Sequence, residues 1–225
     1  MKISILLTTH NREPEAIYCL NNLLQQKTDD IEIILLDDHH IYSNNLNTFC
    51  TKNSIKYLHT GVQKNGTYHW RMPGYALNIG AKLSKADYLI IGNCEVVHTD
   101  LHCIEKMYAF KDSVSTPTVF GQLATNNWES FKLLNNYFPW FWGFPKETFF
   151  EIGGFDEDFT GTAFDDADFS DRMLSMLNFN VVDSKVIHLW NNEVGGGERW
   201  LHNKNLYETR RGVIKRNVGR DWGVL

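Results

Sequence analysis

Apolar residues follow two spacings along the first half of the chain. Ile3–Thr8 is a run of β-branched residues and leucine, which predicts a buried strand. Glu13–Gln26 places Ile17, Leu20, Leu23 and Leu24 at helical spacing. Ile31–Leu36 predicts a second strand that ends at Asp37-Asp38, and Ile55–His59 a short third one. Tyr75–Leu83 reads as a helix and Tyr88–Ile91 as a fourth strand, ending at Gly92-Asn93. Strands that are apolar on both faces and alternate with helices predict an α/β fold with a mostly parallel sheet covered by helices. Such sheets bind ligands beyond the carboxyl ends of their strands. Three polar clusters fall there: Thr8-Thr9-His10-Asn11-Arg12, Asp37-Asp38 and Asn93-Cys94-Glu95.

The second half is less regular. Val119–Leu123 predicts a strand, and Tyr137–Phe144 (YFPWFWGF) is dense in aromatics. Glu147–Ile152 predicts a short helix stopped by Gly153-Gly154. Asp165–Leu177 predicts a helix whose early acids suit its N-terminus, where the macrodipole favours negative charge. Val181-Val182 and Val186–Leu189 read as strands, and Trp200–Arg216 as a final helix.

Composition narrows the classes of partner. The 225 residues suit one large domain, and 43% hydrophobic residues exclude disorder. Net charge is −5, so the whole protein is no uniformly basic binder of nucleic acid or anionic membrane. Residues 199–220, however, hold seven Lys/Arg and one acid, a local +6 that leaves −11 elsewhere. The basic stretch is a candidate for an anionic partner: phosphates of DNA or RNA, or lipid at a membrane surface. Cys19, Cys50, Cys94 and Cys103 lack CxxC spacing, which predicts free buried thiols in a reducing compartment. The short apolar run after Lys2 is no signal segment, and no stretch is long enough to span a membrane. A soluble, cytoplasmic protein is expected.

Each candidate chemical group has a bland alternative. Glu95 at a strand end could bind a hard divalent cation, or be a solvated loop acid. Asp165, Asp166 and Asp168 crowd three carboxylates into four residues. Repulsion would raise one of their pKa values toward a general base, or they could cap the helix. His188 lies inside an apolar run and could be a metal ligand or a satisfied core residue.

In order along the chain, these segments resemble a nucleotide-sugar-dependent glycosyltransferase of the GT-A (Rossmann-like) fold, similar to glycosyltransferase family 2. The resemblance covers roughly residues 2–190 and rests on ISILLTTHNR, IEIILLDDHH, ALNIGAKLSKADYLIIGNCE and FFEIGGFDEDFTGTAFDDADFSDRM. The last block also resembles the C-terminal region of galactosyltransferases. The resemblance implies one GT-A domain over residues 1–198, with a nucleotide half to about residue 100 and an acceptor half beyond it. Residues 199–225 would be a basic helix or tail packed on the same domain.

The resemblance also assigns roles. Thr8, Thr9, His10, Arg12 and Asp38 would hold a nucleotide, expected to be uridine, with Arg71 and Asn78 closing over it. The metal-binding DxD motif falls on Asn93-Cys94-Glu95, with the first acid replaced by a neutral amide. Mn²⁺ or Mg²⁺ is the expected cofactor at Asn93, Glu95 and His188, held by one less charge, with His98 a weaker substitute for His188. Asp166 matches the catalytic base of an inverting transfer and Asp165 its acceptor-binding neighbour. Trp142, Gly143, Gly154 and Phe155 would shape the sugar and acceptor sites. Gly195-Gly196-Gly197 suggests a mobile loop that brings Arg199, His202 or Lys204 to the donor diphosphate. The acceptor stays open among saccharide, protein, small molecule and nucleic acid. Two other readings compete. One is a degenerate GT-A domain that binds nucleotide or sugar without turnover. The other is a nucleotidyltransferase, disfavoured because TTHNREPE lacks glycines.

Overall fold

The computed structural model describes residues 2–61, 72–125, 127–161, 163–190 and 198–225. In chain order the elements are β1 (Ile3–Thr9), α1 (Glu13–Leu23), β2 (Ile31–Asp37), α2 (Asn44–Lys52), β3 (Lys56–His59), α3 (Pro73–Leu83), β4 (Tyr88–Asn93) and β5 (Val96–His98). There follow α4 (Cys103–Tyr108), β6 (Val114–Gln122), β7 (Phe131–Leu133), β8 (Phe141–Pro145), α5 (Lys146–Glu151), α6 (Asp165–Met176), β9 (Phe179–His188) and α7 (Glu198–Arg210).

The strands form one mixed sheet in the order β3-β2-β1-β4-β8-β6-β9-β5, with β7 pairing β6. Its first half is parallel, as the doubly apolar runs require: β1 lies between β2 and β4, and β2 carries β3. Every residue of β1 is buried, so both faces of this central strand are covered. One core layer, around Leu20, Leu46 and Ile90, packs beneath α1 and α2. The other, around Ile34, Leu77, Phe149 and Phe169, packs beneath α3, α5 and α6. Antiparallel β8 joins β4 to the second half, where β6 and β9 run parallel.

Five elements went unread in the sequence, one of them the six-residue helix α4. Helix α2 is built of Asn and Thr with few apolar positions, and Ser43 caps it by accepting from Leu46 N at 3.0 Å. Strands β5 and β7 are three residues long, too short to show a period. The aromatic run conceals β8, whose Phe141, Trp142 and Phe144 are fully buried. The two expected strands 181–182 and 186–189 are one, β9, with a register shift against β6 at Pro117/Thr118.

Candidate active site

The carboxyl ends of β1, β2 and β4 come together because β1 is hydrogen-bonded to both neighbours. Thr9 pairs with Asp37, and Thr8 with Asn93. Thr8 O accepts from Cys94 N at 2.8 Å, and Thr9 O from Asp38 N at 2.9 Å, so the polar ends are knit into one floor. Thr8, Thr9, Asp37 and Asp38 are all buried. His10 Nδ1 lies 3.2 Å from Asp38 O, and its ring meets that of His39 edge-on at 5.4 Å. Asp37 is committed to the fold: its carboxylate accepts from Tyr57 Oη at 2.6 Å and from His39 N at 3.1 Å. Burial, then that carboxylate, push the Tyr57 phenol well above its usual range. Asp38 accepts from Thr60 Oγ1 at 3.4 Å. Beside these groups opens a cleft of about 430 Å³ lined by Thr9, Arg12, Asp37, His39 and Tyr42.

Asn93, Glu95 and His188 meet at the centre of the sheet. Val96 of β5 pairs with His188 of β9, which swings the histidine beside the end of β4. Asn93 Nδ2 donates to His188 Nε2 at 3.0 Å, and Glu95 Oε2 lies 3.6 Å from the same nitrogen. Burial lowers the His188 pKa to about 4, so the ring is neutral near pH 7. The hydrogen-bond network assigns the lone pair to Nε2. Arg12 Nε lies 3.7 Å from Glu95 Oε1, and Arg12 Nη2 donates to Trp190 O at 2.9 Å. Asn93 Oδ1 is buried without a hydrogen-bond partner. A carbonyl oxygen, a carboxylate and a neutral imidazole are donors that Mn²⁺ accepts. They fit a weakly held divalent cation, since only Glu95 is charged and a guanidinium stands beside it. Among the described residues no cluster of three His, Cys, Asp or Glu is assembled. His98 instead packs edge-on against Phe141 in the core, its ring centroid 4.8 Å away.

The downstream acids sit at the start of α6. Ala163 and Phe164 precede them with φ of 85° and 67°, left-handed values that non-glycine residues rarely adopt. Helix α7 holds that strained entry in place. Asn203 donates to Thr160 O and Ala163 O at 3.0 Å each, and the Phe164 ring lies between Trp200 and Tyr207. The three acids then have different fates. Asp168 is buried between Arg172 and Arg216, at 2.8 Å and 2.5 Å. Asp165 is buried, and desolvation with the Asp166 charge pushes its pKa well above the usual carboxylate range. Asp166 has an open surface, yet protein surrounds it and raises its pKa to about 6. The aromatic run ties α6 to the strand ends: Tyr137 Oη donates to Asp171 Oδ1 at 2.6 Å, and the Trp140 ring meets that of His188 at 5.0 Å.

Several expected site residues prove structural. Asn78 is fully buried; its amide donates to Phe155 O and Glu157 Oε1 and accepts from Phe155 N, all at 2.9 Å. It locks the Gly153-Gly154-Phe155 turn and has no surface for a nucleotide. Trp142 is wholly core, its indole donating to Asn136 O at 3.0 Å. A Cβ on Gly143 would lie 2.1 Å from Tyr88 Oη, so this glycine admits a neighbour inside the sheet. Phe155 is buried and stacked on Phe169 at 4.0 Å. Gly154 has φ +65°, and a Cβ there would strike Asn78 Oδ1 and Trp222. None of these four lines an open acceptor site. Trp140, half-buried against His188, is the tryptophan of that run that reaches the strand-end cluster.

Three of the seven basic residues of the C-terminal segment are spent on the protein's own acids. Arg210 pairs with Asp156 and, at 2.6 Å, with Asp158; Arg216 reaches Asp156 at 3.1 Å; Arg220 reaches Asp158 at 2.6 Å. These three arginines neutralise the acids of the preceding turn, while Arg199, Arg211 and Lys215 are exposed; nothing among the described residues supports an anionic partner there. Lys204 lies 3.8 Å from Glu208, and His202 Nε2 lies 3.5 Å from Asp158 O. Among the described residues no contact joins Arg199, His202 or Lys204 to Glu95 or His188. Arg71 and Gly195-Gly196-Gly197 lie outside the described residues.

Comparison with known proteins accords with this geometry. The glycosyl transferase family 2 profile matches residues 4–171, three quarters of the chain, which takes in Asn93, Glu95 and Asp166 but not His188. The chain belongs to glycosyl transferase family 2. No curated protein matches it. Among solved structures the chain resembles GalNAc-T7 with UDP, GalNAc and Mn²⁺, at TM-score 0.68 and 16% identity over 92% of this chain and 47% of that one. It also resembles S. aureus TarS, at TM-score 0.64 and 14% identity over 93% and 39%. A third is the mannosyltransferase PcManGT from Pyrobaculum calidifontis with GDP-Man and Mn²⁺, at 0.59 and 11% over 85% and 58%. At these identities the likeness shows the GT-A fold. The chain spans 39% to 58% of the length of these structures. Among the described residues, no helix is long and apolar enough to cross a membrane.

Proposed function

We propose that this glycosyltransferase moves a sugar from a UDP-sugar to an acceptor hydroxyl with inversion at the anomeric carbon, and that Asp166 is its base. The observation that carries this reading is the division among the three acids of α6. Asp168 is neutralised by two arginines and Asp165 is buried, while Asp166 keeps an open carboxylate with a raised pKa. A base in that range is ionised at neutral pH and still takes a proton readily. In the transfer, Asp166 accepts the acceptor hydroxyl proton. The acceptor oxygen bonds to the anomeric carbon, the bond from that carbon to the phosphate oxygen breaks, and UDP leaves.

Thr8, Thr9, His10 and Asp38 hold the nucleoside at the floor between β1 and β2. Asn93, Glu95 and His188 would hold Mn²⁺ or Mg²⁺, which when bound supplies positive charge to the leaving diphosphate. Arg12, beside Glu95, adds a fixed cation at the same place. Support for nucleotide sugars comes from neighbours solved with UDP or GDP-Man. The test is UDP release from a panel of UDP-sugars with Mn²⁺. Turnover that disappears in Asp166→Asn while UDP binding persists supports the reading.

A second reading, a binding domain without turnover, draws on one observation. The first position of the metal motif is the neutral Asn93, whose amide donates to the histidine expected to bind metal. UDP binding with no hydrolysis or transfer from any donor would favour it.

A further inference from the structure

Next to the strand-end cluster lies a second cleft, of about 320 Å³, that no role above uses. Helix α1 supplies Arg12, Pro14, Glu15 and Tyr18 to one wall, and the ends of β6 and β9 supply Gln122 and Trp190 to the other, with Trp128 from the segment after β6. Tyr18 is 50% exposed and Trp128 45% exposed. Their ring centroids are 6.3 Å apart and their planes tilted by 59°, which makes one angled platform rather than a filled core contact. The polar groups lie at the edges. Gln122 is 5% exposed; its Oε1 accepts from Trp190 N at 3.0 Å, and its buried Nε2 has no hydrogen-bond partner. Glu15 lies 3.4 Å from Arg12 Nη2 and is partly open to solvent.

We propose that this cleft is a saccharide subsite that holds a sugar unit of a saccharide acceptor next to the unit that reacts. The ligand class follows from the combination of surfaces. Flat aromatic faces suit the C–H face of a pyranose ring, which carries little polarity. The groups around them suit its hydroxyls: an unpaired amide donor in Gln122, a carboxylate acceptor in Glu15 and a guanidinium donor in Arg12. A purely apolar ligand would cover these groups without satisfying them, at a cost for each. Position links the cleft to the reaction. Arg12 lines it and also reaches Glu95 at 3.7 Å, and Trp190 follows His188 by two residues. The assignment of the neighbouring site as catalytic rests on the transferase reading; binding of sugar in the cleft does not.

The test uses the full chain with maltose, cellobiose and lactose as probes and glycerol as a polyol control. Saturation-transfer NMR and tryptophan fluorescence titration read binding to the wild type and to Trp128→Ala and Tyr18→Ala. Both side chains are half-exposed, so the variants keep the fold, and circular dichroism checks this. UDP affinity is measured on the same samples. The expected result is saturable binding of at least one disaccharide, with the ring C–H protons receiving the magnetisation. Each variant should bind about tenfold more weakly, with UDP affinity unchanged. If no disaccharide binds, or binding is equal in wild type and both variants, the subsite is refuted. Disaccharide binding that needs Trp128, in a protein that neither binds UDP nor turns over any UDP-sugar, would keep the subsite and sink the transferase reading instead.

Discussion

Two groups of carboxylates look alike in the sequence and are opposite in the structure. Asp156, Asp158 and Asp168 meet Arg172, Arg210, Arg216 and Arg220 in a network that clasps the C-terminal segment to the turn before α6. Glu95 and Asp166 stand at the strand ends and the helix start, the first 3.7 Å from the Arg12 guanidinium and 3.6 Å from His188 Nε2, the second with an open surface and no ion pair among the described residues. The paired group holds the fold. The second group holds the acids to which the proposed reading gives a ligand and a proton. Acidity alone therefore marks no site; how far each acid is neutralised by its neighbours does.

The sharpest way to break this contrast is Asp166→Asn. Transfer should fall by about 10²- to 10⁴-fold, the range for removing a general base, with UDP affinity and folding intact. Steady-state kinetics and calorimetry check it, and a loss of stability would move Asp166 into the structural group. Arg216→Ala should do the reverse. It leaves Asp156 and Asp168 short of a buried partner, so stability should drop by about 3–5 kcal/mol, read from chemical denaturation. Retained stability would mean the clasp is dispensable.

Asn93→Asp restores a charge at the strand ends. Mn²⁺ should bind about tenfold more tightly, or ~1.4 kcal/mol, by titration calorimetry. An unchanged affinity would show that Asn93 does not face the cation. The smallest effect is on pH dependence. Asp165 and Asp166 have raised folded-state pKa values, so the folded chain binds more protons than the unfolded chain in the window from ordinary carboxylate values up to about 6 for Asp166. Their contribution to stability is present below that window and is lost as pH rises through it. Denaturation curves of Asp166→Asn should show a weaker fall across the same range. Transfer by the wild type should rise with pH through about 6 as the base ionises.

Much of the first half of the chain was legible because it follows simple periods. Doubly apolar runs such as Ile31–Leu36 predict parallel strands, and the polar ends of β1, β2 and β4 fall where such sheets bind ligands. The second half was not, because its residues carry several roles at once. YFPWFWGF holds a buried strand residue, Trp142, and a residue against the site, Trp140, two positions apart; composition treats them alike. The glycine pair before Phe155 reads as a ligand turn, yet its missing side chains admit Arg216 and Trp222 from the far end of the chain. Asn78 matches a nucleotide position, yet its amide is used up in holding that same turn. Tyr18 and Trp128 are 110 positions apart and became a platform only on folding.

The order of apolar and polar runs by itself determined the α/β class and the polar strand ends, because burial of apolar periods is a local property of the chain; Asp166 was singled out among its neighbouring acids by the resemblance to glycosyltransferase family 2. The tertiary structure alone decided which charges are spent. Seven basic residues near the C-terminus could have met a ligand, a membrane or their own protein, and three of them, Arg210, Arg216 and Arg220, are paired with Asp156, Asp158 and Asp168. A charge is neutralised by what lies within a few ångströms of it, and only the folded chain sets that distance.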